Sequence, residues 1–174
     1  MKFKKFIIPL TVIIVAAGII VTIFIMQNSN RCDTIENRER RLREIGNLGA
    51  ITTIGQEIAI DGYIISGYTA QNNRYGLAVF APIGNGEYEF QTNANRQNDE
   101  LVFILTSIHQ TQYNVFWANK ANLNYAQITY TVDGKTDATI KLDAKDNKIL
   151  YAEAPSDDFS AEFYFVDLSG KLYE

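Results

Sequence analysis

The chain has 174 residues, 47% of them hydrophobic and 21% charged, a balance that excludes wholesale disorder. All 20 acidic side chains lie at or after Asp33, where they meet 12 basic ones for a formal charge of −8. A surface of that sign repels phosphate and argues against nucleic acid as a partner. The single cysteine, Cys32, excludes an internal disulfide and a CxxC pair.

In chain order, the first element is an apolar run. Residues 6–26 read FIIPLTVIIVAAGIIVTIFIM, uncharged, with Thr11 and Thr22 as the polar members. At about 1.5 Å per residue a helix of that length spans roughly 31 Å, the thickness of a hydrocarbon core. Pro9 falls in the first turn, where a missing amide hydrogen costs little. A cleavable signal has a shorter apolar stretch followed by small residues, whereas Ala16-Ala17-Gly18 is followed by eight more residues of the run. Nor does Ser29-Asn30-Arg31 before Cys32 resemble a lipoprotein cleavage site. The expectation is an uncleaved signal anchor over 6–26, with the lipid bilayer as its partner. Lys2, Lys4 and Lys5 favour a cytoplasmic tail of residues 1–5 and an extracytoplasmic domain, against the pull of Arg31, Arg38, Arg40, Arg41 and Arg43 beyond the run.

Residues 27–49 form the next segment. Asp33-Thr34-Ile35-Glu36 has the form of a capping box, in which Asp33 accepts from the Glu36 amide. The helix it opens carries a thin apolar stripe of Ile35, Leu42 and Ile45 and ends at Gly46 or Gly49. Such a narrow face predicts a charged juxtamembrane stalk, with a partner-binding or membrane-surface helix as the alternative.

Residues 50–174 read as one β-rich domain. Ala126, Ile128, Tyr130 and Val132 alternate with polar residues, as do Ala138, Ile140 and Leu142, and Asp133-Gly134 between the two runs is a strong hairpin signal. Comparable runs occupy 75–80, 87–92, 100–107, 112–117, 148–152 and 162–167. They are punctuated at 82–86, 93–99, 143–147, 155–158 and 169–170. The fold class is therefore all-β, an antiparallel β-sandwich or strongly curled sheet of about eight or nine short strands, with no room for βαβ crossovers. The runs at 101–105 and 163–166 are apolar on both faces; coverage on both sides is the expectation for each, with an exposed binding surface as the alternative.

Chemistry is hard to assemble from this sequence. His109, the one histidine, lies in a turn without a second ligand for zinc or an HExxH. Ser66 lacks a G-x-S-x-G elbow. Asp143-Ala144-Lys145-Asp146-Asn147 has oxygens but no calcium-loop pattern, and no Lys-Ser/Thr follows Gly84-Asn85-Gly86, so a nucleotide is not expected. Cys32 sits among arginines, where a lowered pKa or acylation is conceivable, but an incidental thiol is the simpler reading. No cofactor, metal or catalytic set is expected, and the chain reads as no enzyme.

The remaining reading is a membrane-anchored bacterial envelope protein whose domain is a non-catalytic binding module for an envelope protein or wall glycan. Tyr63, Tyr68, Tyr75, Tyr88, Tyr113 and Tyr125 are the candidate partner-binding residues, since tyrosine gives large contact area at low entropic cost. The alternatives are a tethered inhibitor or immunity protein steered to a basic toxin or hydrolase by the acidic charge, and a carboxylate-based wall-polymer hydrolase.

Overall fold

The computed structural model describes residues 31–174 apart from 47 and 157, together with Val15, Gly18 and Ile19. The membrane segment expected over 6–26 lies, but for those three residues, outside the described residues. Among the described residues no helix is long and apolar enough to cross a membrane.

The domain opens with α1 (Ile35–Gly46) and continues through eleven strands. They are β1 (Thr52–Ile60), β2 (Tyr63–Ala70), β3 (Arg74–Gly84), β4 (Glu87–Gln97), β5 (Leu101–Ile108), β6 (Thr111–Ala118), β7 (Leu123–Val132), β8 (Lys135–Asp143), β9 (Leu150–Glu153), β10 (Ser160–Asp167) and β11 (Leu172–Tyr173). The domain is all-β in character, and every strand pairing is antiparallel. Three sheets form, in the orders β1-β2-β3-β4, β5-β6-β9 and β11-β10-β7-β8.

The short turns show why these strands pair as they do. Asp61-Gly62 and Asp133-Gly134 take positive φ at both positions (47° and 86°, 51° and 71°), the two-residue geometry that matches strand twist. His109-Gln110 takes the same conformation (47° and 74°) without a glycine, which is costlier for side chains bearing a Cβ. The hairpins bring 61–62, 85–86 and 109–110 to one end of the molecule, called proximal here. There the Cβ position of Gly62 lies 3.9 Å from Pro82 and Tyr63 meets the His109 ring edge-on at 5.4 Å. Residues 71–73, 98–100, 119–122 and 168–171 gather at the opposite, distal end.

The three-stranded sheet lies between the other two. One face presents Val102, Ile104, Val115 and Trp117 to Ile65, Leu77 and Val79. The other presents Leu101, Phe116, Leu150 and Ala152 to Ala126, Ile128, Tyr130 and Phe165. This explains the unbroken apolar run at the end of β6, because a strand covered on both sides has no polar face to alternate. Trp117 needs room that only a glycine leaves: a Cβ on Gly67 would sit 2.9 Å from the indole. Since β5 is the edge strand, Phe103 and Leu105 stay 42% and 50% exposed. The both-faces expectation therefore fails for 101–105. In 163–166 neither face is exposed, with Phe165 and Val166 buried on opposite sides and Phe163 and Tyr164 half-buried. Farther out in the same sheet, Thr139 and Lys141 of β8 are open to solvent.

α1 corrects the stalk expectation. The helix lies on the β1–β4 sheet, where Leu42 packs with Tyr68, Ala78 and Phe80. The stripe of Ile35, Leu42 and Ile45 does not set its docking, since Ile35 and Ile45 remain exposed. Arg38 does instead. Its guanidinium, 4% exposed, donates to both Glu57 oxygens at 2.8 and 2.7 Å and to the Cys32 carbonyl at 2.7 Å. Ser66 donates to the same carboxylate at 2.5 Å. A cation in the centre of an otherwise charged face hides the docking surface from an apolar-stripe reading. The cap also shifts by one residue, with Thr34 Oγ1 accepting from the Asn37 amide at 3.2 Å.

Two further boundaries differ from expectation. β4 runs to Gln97, through most of the 93–99 stretch expected as a loop, because its polar residues continue the register with β3 as far as Arg74↔Gln97. β1 and β2, absent from the expected runs, bring the strand count above the expected eight or nine. A register shift between Ile54 and Gln56, around Gly55, breaks the alternation of β1.

Candidate binding cleft at the distal end

The residues singled out in the sequence do not converge on one site. Tyr68 is buried: its ring lies over Gly76, where a Cβ would collide with it, and its hydroxyl accepts from Asn93 Nδ2 at 3.0 Å. Burial pushes its pKa up, with Asn93 and Asn95 opposing. It is a core residue and offers no surface anchor. Tyr88 is half-buried on the α1 side, and its carbonyl accepts from the Cys32 amide at 2.8 Å. Tyr63 and Tyr113 stand at the proximal end. The Tyr113 hydroxyl donates to Asp61 at 3.4 Å and is raised in pKa by burial, then by the charges of Asp61 and Glu153. Tyr125, on the outer face of β7, carries the Lys141 ammonium 3.6 Å from its ring centroid. Tyr75 lines a distal cleft.

The other flagged groups have structural partners. Ser66 is buried beneath α1. The Lys148 ammonium lies 3.9 Å from both Asp143 and Asp146. Cys32 is fully buried, and burial pushes its thiol up against the opposing charges of Arg41 and Arg38. The lowered pKa considered from its arginine neighbourhood is therefore reversed by desolvation. Among the described residues no group of three or more His, Cys, Asp or Glu could hold a metal ion.

Among the described residues the distal end contains two clefts. A cleft of about 460 Å³ is lined by Asn73 from the β2–β3 turn, Tyr75 near the start of β3, Asn98 to Glu100 from the β4–β5 connection, Leu101 at the start of β5, Lys120, and Tyr173 and Glu174. A second cleft of about 630 Å³ lies on the other side of the β6–β7 loop and shares Lys120 with the first. Both volumes fall in the range of small-ligand sites.

Backbone bonds hold the frame. Asn98 donates to the Asn73 carbonyl at 2.8 Å, Asn119 to Glu100 at 3.0 Å and Leu168 to Asn122 at 2.9 Å. Asn72, Asn73, Asn98 and Asn122 all take positive φ, a conformation asparagine tolerates better than most residues. Lys120 is held at 3.2 Å from Glu100 and 4.4 Å from the Tyr173 ring centroid. Asp167 accepts from the Ser169 hydroxyl at 2.6 Å, the Ser169 and Lys171 amides at 2.8 and 2.9 Å, and the Tyr173 hydroxyl at 3.0 Å. Those donors, Ser169 foremost, lower its pKa to about 2 and fix Tyr173 in the cleft wall.

The cleft thus offers two tyrosine rings, two side-chain amides, carboxylates and one ammonium group. Side-chain amides, carboxylates and an ammonium group beside tyrosine side chains suit a polyhydroxylated ligand, whose hydroxyls these groups can bond. Of its members, Tyr75 alone was singled out from the sequence. Clustered turn asparagines were the available signal for the rest, but their chain positions are scattered and only the topology joins them. No family model matches the chain, and no curated protein or solved structure matches it.

Proposed function

We propose that this chain is a single-pass membrane-anchored envelope protein whose extracytoplasmic β domain is a non-catalytic binding module, with a wall glycan as its ligand class. In this reading residues 6–26 span the bilayer, the N-terminus is cytoplasmic, and the ligand is taken at the distal end. The observation that carries it is the cleft of Tyr75, Asn73, Asn98, Lys120 and Tyr173, at the opposite end from Tyr88, where Cys32 is bound. A ligand held there faces away from the anchor.

The tethered inhibitor reading remains second, supported by the −8 charge from Asp33 onward, which favours encounter with a basic protein. The wall-polymer hydrolase is third. The carboxyl groups with clearly displaced acidity, Asp33, Glu36 and Asp167, all move down, the wrong direction for a general acid.

The test uses the full chain in nanodiscs. Retention on purified wall polysaccharide should fall about tenfold when Tyr173→Ala and Asn98→Ala are combined, about 1.4 kcal/mol of lost contact. Equal retention of the double variant would remove the cleft from the proposal. Capture of a basic protein that survives these substitutions would favour the inhibitor. Orientation needs an introduced surface thiol, because buried Cys32 is shielded from labelling. A cysteine at Asn98 should react with an impermeant maleimide on intact cells, and reaction only after lysis would place the domain inside.

A further inference from the structure

The chain reaches the domain beside one hairpin. The Cys32 amide donates to the Tyr88 carbonyl at 2.8 Å, and Arg31 pairs with Glu87 at 2.9 Å. From Cys32 to Arg31 the contacts therefore move one residue back along β4, from Tyr88 to Glu87, toward the β3–β4 turn. That hairpin overhangs its sheet. β3 pairs with β2 only as far as Ile64↔Phe80, whereas it pairs with β4 on to Gly84↔Glu87. The overhang carries Pro82, Ile83, Gly84, Asn85 and Gly86, all exposed, with Ile83 at 52%. No charge occurs from Tyr75 to Gly86, and the first one after it, Glu87, is matched by Arg31.

Tether length limits where this tip can be. Residues 27–31 alone separate the end of the apolar run at Met26 from Cys32. Even fully extended, that stretch reaches at most about 20 Å, and the interfacial layer takes up about 5–8 Å of it. The tip projects beyond the Cys32–Tyr88 contact on the side where Arg31 meets Glu87.

We propose that the β3–β4 tip is a membrane contact, with Ile83 and Pro82 seated in the interfacial layer of the bilayer that holds the anchor. The proposal rests on the anchor reading of residues 6–26. It commits to lipid as the occupant because a short tether, an uncharged projecting tip and a neutralised flank meet at the point where the chain leaves the domain. The contact is apolar, so it does not depend on anionic lipid, and Asp61 on the neighbouring turn disfavours such lipid. With the tip seated, the distal cleft is held away from the membrane, and the domain does not tumble freely on its tether.

The full chain, reconstituted in phosphatidylcholine vesicles and washed with alkaline carbonate, tests this. An environment-sensitive fluorophore is placed on Ile83→Cys, and in a second sample on Asn98→Cys at the distal end. Both positions are exposed, and native Cys32 is buried and stays unlabelled. Nitroxide-bearing lipid should quench the reporter at 83 about twofold, as expected for a depth within the interface, and leave that at 98 unchanged. Anionic lipid should not increase the effect. A chain that resists carbonate but shows no quenching at 83, or equal quenching at both sites, overturns the hairpin contact while the anchor stands. Quenching that requires anionic lipid overturns its apolar character. A chain released by carbonate overturns the anchor and the contact with it.

Discussion

The sheets β5-β6-β9 and β11-β10-β7-β8 share one core, yet neighbouring residues do different work in them. Phe116 and Trp117 of β6 point in opposite directions and both are buried, one against Phe165 and Ile128, the other against Ile65 and Leu77. In β7, Ile128 is buried and Gln127 beside it looks outward between Lys141 and Tyr164. What decides a strand's sequence here is the number of faces its neighbours cover. An alternating strand marks an open face, and an open face is where a domain can meet something else.

The sharpest way to break this comparison is to truncate both sides of β6. Phe116→Ala and Trp117→Ala should each cost about 3–5 kcal/mol, the range for large aromatic side chains removed from a packed core. Denaturant melts read the effect, and a loss below about 1 kcal/mol at either residue would mean that its face is not covered. The same pair of changes in β7 should separate. Ile128→Ala should cost about 3 kcal/mol, whereas Gln127→Ala should stay within about 0.5 kcal/mol. Equal costs would show that the outer sheet is covered after all.

The smallest effect is local and depends on pH. Asp167 is held at about 2 by its donors, below the ordinary value of 3.8, so the carboxylate form favours the folded β10–β11 hairpin. That contribution is fully present above about pH 4 and fades as pH falls through about 2. Chemical shifts of Tyr173 should follow this titration, and Asp167→Asn should loosen Tyr173 at neutral pH without unfolding the sheet. A Tyr173 signal that titrates near pH 4 would show that the four donors do not hold the carboxylate.

What the sequence revealed follows the same rule of covered and open faces. The β7–β8 hairpin was legible because one open face leaves clean alternation and Asp-Gly closes the turn. β2 was not, since both its faces are covered and Gly67, placed there to admit Trp117, interrupts the apolar pattern. β1 was hidden by its shift at Gly55, although Asp61-Gly62 after it is as good a turn signal as Asp133-Gly134. The docking of α1 was illegible for a different reason: its central contact is Arg38 with Glu57, two residues that composition assigns to solvent. Of the cleft, only Tyr75 stood out. Asn73, Asn98 and Lys120 come from three separate connections and Tyr173 from β11, and nothing in their local sequence states that these meet.

The lengthwise run of the strands has a mechanical consequence. A ligand gripped at Asn98 and an anchor pulling at Cys32 would load the molecule along β4, since Cys32 is bonded to Tyr88 near one end of that strand and Asn98 follows the other. Both load points then lie on β4, so tension runs along that strand and leaves its ladder to β3 unsheared. The junction under load is the Cys32–Tyr88 hydrogen bond with the Arg31–Glu87 pair, a few bonds at the point where the chain enters the domain.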